Sequence, residues 1–382
     1  MKIQSLTLFK VPPRWVFLKI TTDDGIVGWG EPIVEGKADT VIACVNEMRD
    51  MLIGKEAGHI EELWQTMYRC NFYRGGPVLT SAISGIEQAL WDIKGKALGV
   101  PVYELLGGPV RSKLKVYAWI MGEGDADILA QVQQRIDQGY NTIKMCVTDE
   151  LGWVDSIGKI EKAADKVGLI RDKFGYSIDI AVDFHGRVHR PMARMLIHEL
   201  EQYKLLYIEE PLAPEQLEGF LELRRHCNTP IATGERMYTR WGFKDLITSN
   251  AADIVQPDLS HAGGILECRK IAAMAECHDM AVAPHCPLGP IALASCIQLD
   301  FCTPNAFIQE QSLDIHKNNN SEISDYLQEG TNFHYKDGYI ERSQLPGLGI
   351  LVDEEKVERG VAKGHDWHNP VWHLSDGTPI EW

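Results

Sequence analysis

A chain of 382 residues exceeds what one compact core needs, so a large domain and a smaller one are expected. Its 45% hydrophobic and 24% charged residues exclude a disordered or fibrous chain, and a formal charge of −16 argues against nucleic acid or an anionic membrane as main partner. No stretch approaches the ~20 apolar residues of a membrane span, and the start, MKIQSLTLFKVPPRW, has no apolar core of a secretion signal.

The chain opens with sheet-like alternation. KIQSLTLF (2–9) and VFLKI (16–20) read as strands, and DDGIVGWGE supplies a turn and a third. In SAISGIEQALWDIKGKALG, Ile83, Ile86, Leu90, Ile93 and Ala97 recur at steps of three and four. This predicts a helix with one apolar stripe, ended by Gly99 and Pro101.

After Gly107 and Gly108, short apolar strands alternate with helical stretches. The strands are LKVYAWI (114–120), NTIKMCV (141–147), IDIAVDF (178–184), LLYIEE (205–210), PIATGE (230–235), DIVQPD (253–258), AVAPH (281–285) and FIQE (307–310). Eight strands, seven of them followed by a helix-like stretch, predict an α/β fold built on a (β/α)8 TIM-type barrel, or a slightly modified one. From about residue 345 the pattern stops. His365, His368 and His373 in the tail lack acidic or Cys partners at ligand spacing and read as surface or packing residues. The nine cysteines, odd in number and without a C-x-x-C pair, read as reduced thiols, mostly in the core, of a cytoplasmic protein.

The barrel strands share a feature at their C-terminal ends, the rim where such barrels carry active sites. Asp183, Glu209 and Glu235 are spaced 26 and 26 residues apart, and Asp258, His285 and Glu310 follow at 23, 27 and 25. One βα unit takes about 25–30 residues, so each group falls at the end of a successive strand. Three neighbouring carboxylates form a hard oxygen site suited to Mg2+, one per subunit, with Mn2+ possible and Zn2+ disfavoured. Strand alternation points Glu210 away from the site, and brings His185, two residues after Asp183, onto the ligand's face as an acid or base. Asp258 behind His285 would fix the imidazole tautomer and raise its basicity, making His285 a candidate base. A buried, protonated Glu310 would donate a hydrogen bond to a developing oxyanion. Together these groups describe proton abstraction beside a metal-bound carboxylate, followed by loss of a hydroxyl.

The strings PPRWVFLKI, GIVGWGEP, NFYRGGP, SGIEQALWDIKGKALGVPVYELLGG, DFHGRV, IEEP, GERMY, QPDLSHAGGI, APHCPLGPIALA and QEQS resemble the mandelate racemase group of the enolase superfamily over nearly the whole length. The resemblance implies an N-terminal α+β capping domain at 1–112, the barrel at 113–345 and a segment at 346–382 that returns to the capping domain. It implies Asp183, Glu209 and Glu235 as metal ligands and His285, backed by Asp258, as the base at C2. It further implies His185 as the acid for the 3-hydroxyl and Glu310 as stabiliser of the enediolate. Racemases of the group carry K-x-K on the second barrel strand; here the string is Lys144-Met145-Cys146. Lys144 is left as a contact for the substrate carboxylate, and the opposite-face base is replaced by a thiol, a poor base near its ordinary pKa of about 8.5. The expectation is therefore a sugar-acid dehydratase in a homo-oligomer. Galactonate is the first choice and mannonate, gluconate or a pentonate the alternatives; a non-catalytic ligand-binding relative would have lost one of these groups. Arg14, Tyr73 and Arg74, with Trp15, lie in the loops that the family places over the barrel mouth, where they would read the distal hydroxyls.

Overall fold

Strands Ile3–Val11, Trp15–Thr22 and Val27–Gly30 form an antiparallel sheet in the computed structural model, which describes residues 1–313, 315, 322–331 and 333–382. The middle strand is buried without a break from Trp15 to Leu18. Against this sheet lies the 22-residue helix Pro77–Leu98. Gly28 and Gly30 permit the approach, since a Cβ at either would overlap the carbonyl oxygens of Ala89 and Gly85.

The apolar stripe expected of that helix is buried at Ile83, Ile86, Leu90 and Ile93, though Ala97 is exposed, and the stripe is not the only buried face. Every residue from Thr80 to Ile93 is buried, because the helix is covered by the sheet on one side and the barrel on the other. Its polar residues are buried with partners. Asp92 accepts from the Trp29 amide at 3.0 Å on the sheet side. Gln88 donates to Leu259 O and Ser260 Oγ at 3.1 and 3.0 Å on the barrel side.

Seven parallel strands follow in sequential order: Ala118–Ile120, Thr142–Cys146, Asp179–Asp183, Tyr207–Glu209, Ile231–Thr233, Ile254–Val255 and Ala281–Val282. A helix follows each of them. Two expected strands differ. In LKVYAWI, Lys113–Lys115 pairs antiparallel with Tyr339–Glu341, and only Ala118–Ile120 joins the barrel. FIQE forms no ladder; parallel bridges Val282↔Ala306 and Val116↔Gln309 join the two sheet edges through this segment. The Phe307 amide donates to Val282 O at 3.1 Å and the Gln309 amide to Lys115 O at 2.9 Å. The result is a modified barrel. Its interior packs Tyr117, Trp119 and Tyr207 against the small Ala181, Ala232 and Ala283.

The later strands are shorter than their sequence strings. Pro257 and Pro284 precede Asp258 and His285 and have no amide for the ladder, so these two residues sit on loops three positions past their strands. Asp183 and Glu209 are the last residues of theirs.

Beyond the barrel, helix Glu354–Lys363, capped by Asp353, packs on strand Ile3–Val11, and Lys19 pairs with Glu354. Trp372–His373 and Pro379–Ile380 then form a short antiparallel hairpin. Among the described residues no helix is long and apolar enough to cross a membrane. All nine cysteines are free; Cys268, Cys286, Cys296 and Cys302 are buried, Cys44, Cys146 and Cys227 pack partly buried against the core, and Cys70 and Cys277 are exposed.

Candidate active site

The strand ends bring carboxyl oxygens of Asp183, Glu209 and Glu235 within 4.8 Å of one another. Asp183 and Glu209 are in register on adjacent strands. Asp183 Oδ2 and Glu235 Oε2 are buried without a hydrogen-bond partner, an arrangement that costs free energy unless a cation supplies the missing interaction. An all-oxygen donor set with two such atoms fits a hard divalent cation.

Lys144, fully buried on the neighbouring strand, points into this cluster. Its Nζ donates to both Glu209 oxygens at 2.6 and 2.7 Å and lies 3.1 Å from Glu310 and 3.7 Å from Asp183. Burial and the Asp183 charge push the Glu209 carboxyl well above the usual range, with Lys144 opposing them. One ammonium against three carboxylates leaves the cluster short of positive charge.

His285 Nδ1 lies 2.7 Å from Asp258 Oδ2. Its Nε2 faces Glu235 Oε2 at 3.5 Å and Glu310 Oε2 at 3.9 Å. Burial would lower its pKa, but Glu235, Glu310 and Asp258 hold it well above the ordinary value. Behind the dyad, His261 Nδ1 is 2.9 Å from Ser81 Oγ, and its Nε2 is 3.5 Å from Glu35 and 3.8 Å from Asp258. The sequence reading missed this link between the N-terminal unit and the barrel. The signal was the His at the end of QPDLSH, within the same loop as Asp258.

Strand alternation does not carry His185 into the pocket. The strand stops at Asp183, and His185 adopts φ 52° in the turn beyond it. Its amide donates to Asp183 Oδ1 at 2.7 Å, and Nε2 comes within 3.2 Å of Asp183 Oδ2. Burial would lower the imidazole pKa, but Asp183 beside it holds it well above its ordinary value, and Arg187 lies against Nδ1. Cys146 Sγ lies 3.8 Å from the imidazole, too far to act as more than a weak partner. Glu210, expected from alternation to point away, lies one residue past the strand end at φ 38°, outside regular alternation, and pairs with Arg236 at 2.5 Å.

Glu310 does not fit the protonated donor read from sequence. It accepts from Trp119 Nε1 at 2.9 Å and the Cys286 amide at 2.7 Å, with Lys144 beside it. Burial raises its carboxyl, but Lys144, His285 and that amide outweigh burial and hold it below the usual range. It is an acceptor here.

Of the loop residues, Arg14 lies near the dyad's loop. It donates to Pro287 O at 3.3 Å, lies 3.7 Å from Glu35 and stacks over Trp367 at 4.9 Å. Tyr73 and Arg74 are not brought to the site. Tyr73 is 90% exposed, and Arg74 reaches over the Tyr68 ring at 5.9 Å. Trp382 was also missed: its ring lies 6.3 Å from the His185 ring.

Two family models cover most of the chain. The N-terminal domain of mandelate racemase / muconate lactonizing enzyme matches residues 9–107, and the enolase C-terminal domain-like model matches 127–356. D-galactonate dehydratase of Ralstonia pickettii is 52% identical over 382 residues, covering all of both chains, and that of Klebsiella pneumoniae is equally similar. A mandelate racemase/muconate lactonizing enzyme-like protein from Roseovarius superposes with a TM-score of 0.89 at 29% identity, over 98% of this chain and 99% of that one.

Proposed function

Since the chain belongs to the mandelate racemase/muconate lactonizing enzyme family of the enolase superfamily, we propose that it converts D-galactonate to 2-keto-3-deoxy-D-galactonate with Mg2+. The broader statement, a sugar-acid dehydratase and hydro-lyase with a divalent-cation site, rests on full-length relatives at 52% identity and on the acidic trio. One observation carries the mechanism. Two imidazoles meet the carboxylate cluster from the loops after different strands, His285 beside Glu235 and His185 beside Asp183.

Asp183, Glu209 and Glu235 would hold the cation, which when bound supplies electrostatic stabilisation of the charge that develops on the substrate carboxylate. Lys144 is the proposed contact of that carboxylate. His285 takes the C2 proton on Nε2, while Asp258 holds its Nδ1–H and stabilises the imidazolium. His185, as the imidazolium, gives its Nε2 proton to the 3-hydroxyl, which leaves as water, and Arg187 beside Nδ1 sets the orientation of the ring. The enol so formed ketonises to the 2-keto-3-deoxy product. Glu310 acts by holding Lys144 and facing His285 rather than by donating a proton. Arg14 would serve the distal hydroxyls from the N-terminal unit, in a capping domain that we place at 1–112.

Free thiols at all nine cysteines suit a reducing compartment, and the reading places the enzyme in the cytoplasm. A homo-oligomer is part of the same reading; Phe72 and Tyr73, 89% and 90% exposed, offer it an apolar contact. The test is a stereochemical library of aldonic and aldaric acids with Mg2+, scored for 2-keto-3-deoxy product. D-galactonate should exceed D-mannonate and D-gluconate by at least ~100-fold in kcat/KM, the scale of discrimination that misplaced hydroxyls impose on a hydrogen-bonding site. Equal turnover of another epimer overturns the substrate and leaves the dehydratase standing.

A further inference from the structure

The chain's last residues reach the active site. After helix Glu354–Lys363 the tail crosses toward the barrel rim, where Arg14 stacks over Trp367 and the rings of Trp367 and Trp382 lie 6.2 Å apart. The hairpin 372–380 is fixed by the Trp372↔Ile380 and His373↔Pro379 pairs and by Leu374 N donating to Thr378 O at 2.9 Å. Its outer face is exposed, so a small core of its own does not hold it in place. Barrel residues do. Arg187 stacks over the Trp372 ring at 4.6 Å, and His189 pairs with Glu381 at 3.7 Å.

Arg187 thus bridges two things. It lies against Nδ1 of His185 and supports Trp372 of the hairpin. The hairpin in turn presents Trp382 to the His185 ring at 6.3 Å, tilted by 52°. Trp382 keeps 39% of its surface exposed, an unusual cost for a large aromatic ring that already has a packing surface beside it.

We propose that the hairpin is the distal wall of the substrate site and that Trp382 is a specificity-determining residue. Its ring face packs on the C–H side of the sugar acid beyond C3 and sets how the leaving hydroxyl meets His185. This rests on the dehydratase reading and adds a second recognition element to the capping loops. An indole face suits this task. It offers apolar area to the carbon chain and leaves the hydroxyls to polar groups opposite.

The test compares the holoenzyme with Trp382→Ala and Trp382→Phe, with Mg2+, on D-galactonate and on a four-carbon aldonate too short to reach the wall. Wild-type turnover of D-galactonate is read first, and its absence, with no other acid of the library dehydrated, removes the dehydratase reading itself. Given an active wild type, its preferred acid is used. Trp382→Ala should lower kcat/KM for the long acid at least 30-fold, while C2 proton exchange of the short one changes less than threefold. Trp382→Phe should recover most of the loss, since it restores a flat apolar face. A parallel fall on long and short acids would mark a general disturbance of the site and overturn the proposal. So would an unchanged long-to-short ratio in Trp382→Ala.

Discussion

Lys144 Nζ lies 2.6 and 2.7 Å from the two carboxylate oxygens of Glu209, and neither group reaches solvent. The same ammonium also serves Glu310 and Asp183. Removing one partner of a buried ion pair strands the other, at a cost of about 3–5 kcal/mol. Lys144→Met, close in size and uncharged, should therefore lose that much unfolding free energy in chelator-treated enzyme. Added Mg2+ should stabilise the variant more than the wild type, because the cation takes over the neutralisation. Urea unfolding with and without Mg2+ reads both effects; equal stabilisation of the two proteins would refute the shared charge balance.

Chelation should abolish turnover, and Mg2+ should restore it. Glu235 carries a buried oxygen without a hydrogen-bond partner, so it is the ligand with least to hold it apart from a cation. Glu235→Gln keeps the shape and removes a charge. Its Mg2+ affinity should fall at least ~100-fold, beyond the range that loss of an outer-sphere partner costs. Calorimetric titration measures it, and full activity in exhaustively chelated enzyme would sink the metal assignment.

The two histidines should separate by isotope exchange. In D2O, His285→Asn should lose both dehydration and exchange at C2, since the dyad with Asp258 is the proposed base. His185→Asn should lose dehydration and keep exchange, because its imidazole only assists departure of the 3-hydroxyl. NMR of the substrate distinguishes these outcomes. Exchange surviving in His285→Asn would reverse the roles.

Much of this site was legible because strand ends recur at a fixed interval: the period alone selected Asp183, Glu209, Glu235, Asp258, His285 and Glu310. Period says nothing of how a side chain is aimed. His185 reaches Asp183 through a positive φ that alternation does not predict, and Glu310 accepts hydrogen bonds because Trp119 and Cys286, distant in sequence, surround it. The contact made by the last residue of the tail was missed for a related reason. Its tryptophans show no period, so only the folded chain reveals that Trp382 returns to His185. The capping helix misled in the other direction. Apolar residues at three and four steps imply one buried face, but Ser84, Glu87 and Gln88 on the remaining faces are buried too, by hydrogen bonds across to the barrel.

Glu87 shows what those cross-unit bonds contribute. Its carboxylate accepts from the amides of Ile265 and Leu266 at 2.7 and 2.9 Å and from Trp91 Nε1 at 2.7 Å. The two amides begin the barrel helix Ile265–Glu276, where free N–H groups and the helix dipole favour a negative partner. Gly264, at φ 93°, lets the carboxylate come this close, since a Cβ there would overlap it. Glu87→Ala strands two buried donors and a part-buried one, at about 1–3 kcal/mol for each buried one, so a loss of at least ~2 kcal/mol is expected. Glu87→Gln keeps one acceptor oxygen and should lose roughly half as much. Glu87 lies outside the carboxylate cluster, so at 25 °C, while the variants remain folded, kcat and Mg2+ affinity should stay within about threefold of wild type, as expected for distant, independent sites. Chemical denaturation paired with kinetics on the same preparations makes the comparison. If Glu87→Ala unfolds at the wild-type denaturant concentration, the carboxylate is not what joins the N-terminal unit to this barrel helix.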